Sequence, residues 1–205
     1  MNTGLGNLAA LKDFILPAPM REQDDYDAML AAIGAGVAAQ VARFCNRKLA
    51  WAVDDTHDFP AGAPRYWLPR APVASLAKIE TLGASGEPVG ELSGFIWNRA
   101  GLVDLRALTV SAEWLRATYT GGYWFETLEP TDDGFPSAPP AGATLLPADL
   151  RLAWLLQSQF VFEGKDHLLP KGLKDNQMIM TSTKDVKLTD GVKEMLRAFV
   201  RYQLL

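Results

Sequence analysis

Apolar positions recur at helical spacing near both ends of the chain and at strand spacing in its middle third. The first segment, Leu8-Ala-Ala-Leu-Lys-Asp-Phe-Ile-Leu16, reads as a short helix stopped by Pro17 and Pro19. Asp24 and Asp25 suit the positive N-terminal end of a second helix. Behind them Tyr26, Met29, Leu30, Ile33, Val37, Val41 and Phe44 recur every three to four residues, which predicts about six turns with one apolar stripe. Between those positions the side chains are small, Ala31, Ala32, Gly34, Ala35, Gly36, Ala38 and Ala39 among them. Such a surface lets another helix, or another subunit, approach closely.

After Arg47 the period changes to that of strands. Pro60, Gly62, Pro64, Pro69 and Pro72 separate short β-prone runs near 49–53, 66–68, 76–82, 95–98, 102–105 and 114–120. Gly83-Ala-Ser-Gly86 and Arg99-Ala-Gly101 read as turns, and the pair 95–98 and 102–105 is the clearest hairpin. Residues 126–146 form an acidic, proline-rich stretch with no period. Pro147 then opens a helix with Asp149 in its first turn, Leu150, Ala153, Trp154, Gln157 and Val161 on its inner face, and Gly164 at its end. Residues 165–188 are polar and basic, with Met178–Thr183 a candidate extended run. A last helix is expected from Thr189 or Asp190 to about Tyr202, its apolar side built from Val192, Met195, Leu196 and Phe199.

The expected fold class is therefore α+β: one domain over 1–205, with an antiparallel helical bundle from 1–47 and 147–205. A small antiparallel β-sheet subdomain over 48–125 is inserted between helices 2 and 3, and 126–146 is a loop.

Composition narrows the functional classes. The 205 residues are 48% apolar and 21% charged, ordinary for a globular chain that folds without staples. One cysteine, Cys45, excludes an internal disulfide framework and fits a reducing compartment. No uninterrupted apolar run approaches the roughly 18 residues that would span a bilayer, and no basic region followed by an apolar stretch opens the chain. A cytoplasmic site of synthesis and no membrane partner are expected. The net charge of −4 argues against a broad basic face for nucleic acid. Its distribution is uneven: 11 Lys/Arg against 17 Asp/Glu in 1–146, but 9 against 7 in 147–205.

Candidate chemistry is sparse. Asp54-Asp-Thr-His-Asp58 gathers carboxylates around His57, a set that could hold a divalent ion, but neighbouring Pro60 and Gly62 indicate a solvated acidic turn. Cys45 with His57 or His167 could make a nucleophile–base pair, yet Cys45 continues the apolar side of the second helix and reads as a core thiol. Ser158 and Ser182 lack a nucleophile-elbow context, Gly121-Gly-Tyr123 lacks the features of a phosphate loop, and Asp132-Asp133 lies in the acidic loop. No catalytic set, metal site or cofactor is expected. One pattern remains: Lys193, Arg197 and Arg201 recur every four residues opposite the apolar side of the last helix. With Lys184 and Lys187 they would form a cationic ridge for DNA phosphates or an acidic partner, the alternative being a solvated helix face. Lys165, Lys171 and Lys174 raise the same question for a channel-lining loop.

Taken in order, several segments resemble the head–tail connector (adaptor) family of tailed bacteriophages and related gene transfer agents. They are Leu11-Lys-Asp-Phe-Ile-Leu-Pro17 before an acid-started helix, Phe44-Cys-Asn-Arg-Lys-Leu49 ending it, and Leu68-Pro-Arg-Ala-Pro-Val73 leading into a strand. Thr118-Tyr-Thr-Gly-Gly-Tyr123 closes the β region and Leu146-Pro-Ala-Asp-Leu150 opens the next helix. The resemblance spans most of residues 8–165. It implies a structural virion protein without catalytic residues: a subunit of a homo-oligomeric ring, usually of twelve. The ring would be assembled in a host cytoplasm and seated in the virion neck. It would bind the portal protein above and a stopper or tail-completion protein below, and pass double-stranded DNA without sequence specificity. The alternatives are another neck or tail component, such as a stopper or tail terminator, or a small metal-dependent hydrolase using Asp54, His57 and Asp58.

Overall fold

The structure, a computed structural model, describes residues 4–126, 135–164 and 187–201. They form four α-helices and nine strands, and the strands all lie between the second and third helices in chain order. The chain divides into two compact units. Among the described residues, one comprises 4–45, Glu126, 146–164 and 187–200, and the other 46–125, 135–145 and Arg201.

The first unit is helical. Helix α1 (Leu8–Ile15) starts at Asn7, whose Oδ1 accepts a 2.8 Å hydrogen bond from the Ala10 amide, and ends before Pro17. A 3₁₀ turn, Ala18–Met20, follows. Lys12 Nζ reaches Asp27 Oδ1 at 2.6 Å and donates to the Gln23 carbonyl at 2.8 Å, so the connection is tied at both ends. Helix α2 (Asp27–Cys45) begins two to three residues after the expected acidic start at Asp24 and Asp25. It buries Leu30, Ile33, Val37, Val41 and Cys45. With 19 residues and a mean hydropathy of 1.5, α2 is long and apolar enough to cross a membrane by length and composition alone; in this unit its apolar stripe is packed against α1 and the two later helices.

Helix α3 (Ala148–Glu163) buries Leu150, Ala153, Trp154, Gln157 and Val161, the face expected from their spacing. The Trp154 indole N–H donates to the Gly34 carbonyl at 2.9 Å, and the Tyr26 ring meets Phe162 edge-on at 5.9 Å. Residue 34 thus faces 154 and residue 26 faces 162, so α3 runs antiparallel to α2. Helix α4 (Asp190–Leu196) is shorter than its pattern suggests. It tightens into a 3₁₀ turn over Arg197–Phe199, and Val200 is extended. Buried Gln157 secures its entry, donating to the Lys187 carbonyl (3.2 Å) and accepting from the Thr189 amide (3.0 Å).

The second unit is β. Strands β1 (Ala52–Pro60), β3 (Val73–Leu82), β4 (Pro88–Leu92) and β7 (Trp114–Gly121) make an antiparallel sheet in the order β1-β7-β3-β4. Strands β2 (Arg65–Trp67), β6 (Leu102–Asp104) and β5 (Ile96–Trp97) make a second, in the order β2-β6-β5. Alternation drives the burial: along β7, Leu115, Ala117 and Tyr119 point into a core shared with Phe59, Leu68, Val73, Ile79 and Val103, while Arg116 and Thr118 point away. The β5–β6 hairpin turns at Asn98–Gly101, with Gly101 at φ +88°.

Two expectations need correction. Asp54–Asp58 is not a solvated turn but the middle of β1. It is an edge strand, and Asp55 and Asp58 are paired with Arg70, Lys48 and Arg116 on neighbouring segments, so an acidic composition does not prevent pairing. The proline-rich stretch is not wholly loop either: Thr144–Leu145 forms β9, pairing in parallel with β8 (Tyr123–Trp124). The candidate extended run at 178–183 lies outside the described residues.

Candidate functional site

The cationic ridge needs one continuous helix to place Lys193, Arg197 and Arg201 in a row, and α4 does not supply it. Lys193 Nζ lies 2.8 Å from Asp190 Oδ1, and Arg197 lies 2.9 Å from Glu194 Oε1, each the i,i+3 partner one turn back. Both pairs are on the surface. Lys187 is exposed just before the helix. Lys165, Lys171, Lys174 and Lys184 lie outside the described residues.

Arg201 departs from the row. After the 3₁₀ turn the chain extends, and the side chain enters the β unit, its guanidinium 5.0 Å from the centroid of the Trp67 ring. It donates to the carbonyls of Leu68 and Ala100. Burial, together with the nearby Arg47 cation, lowers its pKa to about 10, which still leaves it charged at neutral pH. Arg201 is thus a half-buried packing residue. A basic residue at i+4 in the sequence gave no sign of this, because the break of the helix at Leu196 decides it.

Along β1, neighbouring side chains point to opposite sides, so His57 and Asp58 do not converge. Asp58 makes two 2.7 Å hydrogen bonds with Arg116, and that cation holds its carboxyl below the usual range. His57 Nε2 shares a 2.8 Å hydrogen bond with the Tyr66 hydroxyl. Burial first, then Lys48, push its pKa down against the pull of Asp55 and Asp58. The Asp54 amide donates to Thr120 Oγ1 at 3.2 Å, and Asp54 itself sits at φ +51° where the β1–β7 register shifts. No group of three or more metal-ligating side chains occurs among the described residues.

The motif Asp54–Asp58 does contain a functional-looking cluster that sequence reasoning missed. Asp55 Oδ2 receives Arg70 Nε at 2.9 Å and Lys48 Nζ at 3.2 Å, and Arg70 also donates to the Ala50 carbonyl. Burial works to raise the Asp55 pKa, but Arg70 and Lys48 outweigh it and the carboxyl titrates below 3.8. The Arg70 amide donates to the Tyr119 hydroxyl at 3.1 Å, and burial raises that phenol to about 12. Two cations share the one Asp55 carboxylate, and the cluster joins the start of β1 to the segment before β3. Cys45 is fully buried at the end of α2.

No family model matches the chain, and no curated protein matches it. Solved structures do. A chain in the virion of a native gene transfer agent particle aligns with a TM-score of 0.58 at 15% identity, covering 97% of this chain and 90% of that one. A chain in the neck of an empty gene transfer agent particle, computed with sixfold symmetry, aligns with a TM-score of 0.56 at the same identity and coverage. This chain shares their fold over nearly its whole length.

Proposed function

We propose that this chain is a structural subunit of a virion neck: a head–tail connector (adaptor) whose copies form a ring, twelve in number, between the portal and the stopper or tail. The ring extends the channel through which DNA passes. One observation carries this reading: the fold likeness, over 97% of the chain, to chains of gene transfer agent particles, one of them in the neck. The helical bundle with its β-sheet insertion and the order of its segments agree with it. So does the character of the polar clusters, in which Asp55 and Asp58 are ion-paired within the fold. The role falls to surfaces that meet identical neighbours, a portal above and a completion protein below.

The test mixes the purified chain with the portal of its own virus-like particle and images the product by electron microscopy. A ring stacked on the portal ring is the expected result. No association, together with normal DNA-filled particles when the gene is deleted, overturns the reading. A ring bound only at the distal end of an already completed neck makes the chain a stopper or tail terminator instead.

A further inference from the structure

Helix α3 is apolar on both sides. Its inner face is buried, yet Leu152, Leu156 and Phe160, one turn apart on the outer face, remain 41%, 38% and 53% exposed. A helix apolar all round is normally covered all round. The same unit carries a second exposed surface of opposite shape. On α2, Ala28, Ala32, Ala35 and Ala39 form an outward stripe with no side chain beyond a methyl group. One face offers a ridge of large side chains and the other a row of methyl groups. Because the two differ, a contact between copies joins unlike patches, which is the kind of contact that closes into rings.

Charge gives the direction. Residue 26 lies against 162 and residue 34 against 154 within one subunit. Rotation about a ring axis by one-twelfth of a turn leaves the neighbour's α2 pointing nearly the same way, so α3 meets it antiparallel as well. That brings the C-terminal end of α2, with exposed Arg43, level with the N-terminal end of α3, with exposed Asp149. Opposite charges meet there. At the far end Asp25 and Glu163 are both acidic, so the favourable pairing lies at the Arg43–Asp149 end.

We infer that the Leu152–Leu156–Phe160 ridge of one copy seats in the alanine stripe of α2 in the next copy, with Arg43 paired to Asp149 across the contact. This rests on the ring reading above and names the surfaces that make the ring. The test uses two differently tagged full-length chains, one with Ala35→Cys and one with Leu156→Cys, assembled on the portal and treated with a short bismaleimide; Cys45 is buried and stays in place. The expected product is the mixed 35–156 dimer, with neither 35–35 nor 156–156 dimers. Rings that form without the mixed product overturn this contact and leave the neck reading standing. Failure to form any ring overturns both. In parallel, Arg43→Glu lowers ring yield roughly fivefold, the equivalent of about 1 kcal/mol for one ion pair, and adding Asp149→Arg to the same chain restores it. An unchanged yield for Arg43→Glu, or no restoration, overturns the assigned pairing.

Discussion

The Arg201 guanidinium lies over the Trp67 ring, 5.0 Å from its centroid, while donating to the carbonyls of Leu68 and Ala100. One side chain thereby serves two backbone acceptors and an aromatic face that would otherwise need other partners. Arg201→Ala should destabilise the protein by about 2 kcal/mol, from a desolvated cation–π contact and charge-assisted hydrogen bonds. Arg201→Lys should recover only part of that, since an ammonium lacks the planar fork that reaches both carbonyls from over the ring. Urea denaturation followed by Trp fluorescence measures both. Equal stability of all three proteins would mean the contact contributes nothing.

Lys193 and Arg197 should behave differently, because their ion-pair partners among the described residues are exposed carboxylates one turn back. The double reversal Lys193→Glu, Arg197→Glu is expected to leave the denaturation midpoint within about 0.5 kcal/mol of the parent. It should impair portal docking or DNA retention if this surface meets an acidic partner. Particles that assemble and hold DNA normally would reduce the pair to a solvated helix face.

The contrast between these residues shows what the sequence makes legible. Spacing alone identifies the buried faces of α2 and α3, because Val37, Val41, Trp154 and Gln157 obey a local period. Lys193, Arg197 and Arg201 obey the same period, but the helix ends at Leu196 and the next residues tighten into a 3₁₀ turn. Past that break Arg201 lies over Trp67, 134 positions away along the chain, and no local pattern encodes that contact. The same holds for β1. Its Asp54-Asp-Thr-His-Asp58 composition reads as a turn, but the segment pairs antiparallel with β7, and Arg70 and Arg116, distant in sequence, meet Asp55 and Asp58 there. Ion pairs between distant segments are invisible to periodicity.

Acid sensitivity follows from the same strand. The His57 pKa is lowered from 6.5 in the folded protein, so the unfolded chain binds more protons than the folded one just below that value. Stability is lost as pH falls from about 6.5 toward the folded pKa of His57. Asp55 and Asp58 are lowered from 3.8, so their contribution is fully present above 3.8 and disappears as pH drops through their folded values. Melting temperature against pH should be level from 8 to 7 and then decline in two stages. His57→Gln should abolish the first stage and spare the second. A single unchanged decline in that variant would assign the whole effect to the carboxylates.

The junction Gly121–Tyr123 sets a sharper structural demand. Gly122 sits at φ +96°, its amide donates to the Pro72 carbonyl at 2.8 Å, and the Tyr123 amide donates to the Leu49 carbonyl at 2.7 Å. A Cβ on Gly122 would overlap the Ala50 carbonyl, and one on Gly121 would lie 2.7 Å from the Pro72 oxygen. Both obstacles are backbone, which cannot swing aside as a side chain can. Gly122→Ala adds left-handed strain to the clash and should cost at least about 3 kcal/mol. Gly62, with open space around its Cβ position, is the control: Gly62→Ala should be neutral, or stabilise by about 0.5 kcal/mol through the unfolded chain. Thermal denaturation of the two variants separates them. If Gly122→Ala melts with Gly62→Ala, the close approach of these backbones is not what joins β7 to β8.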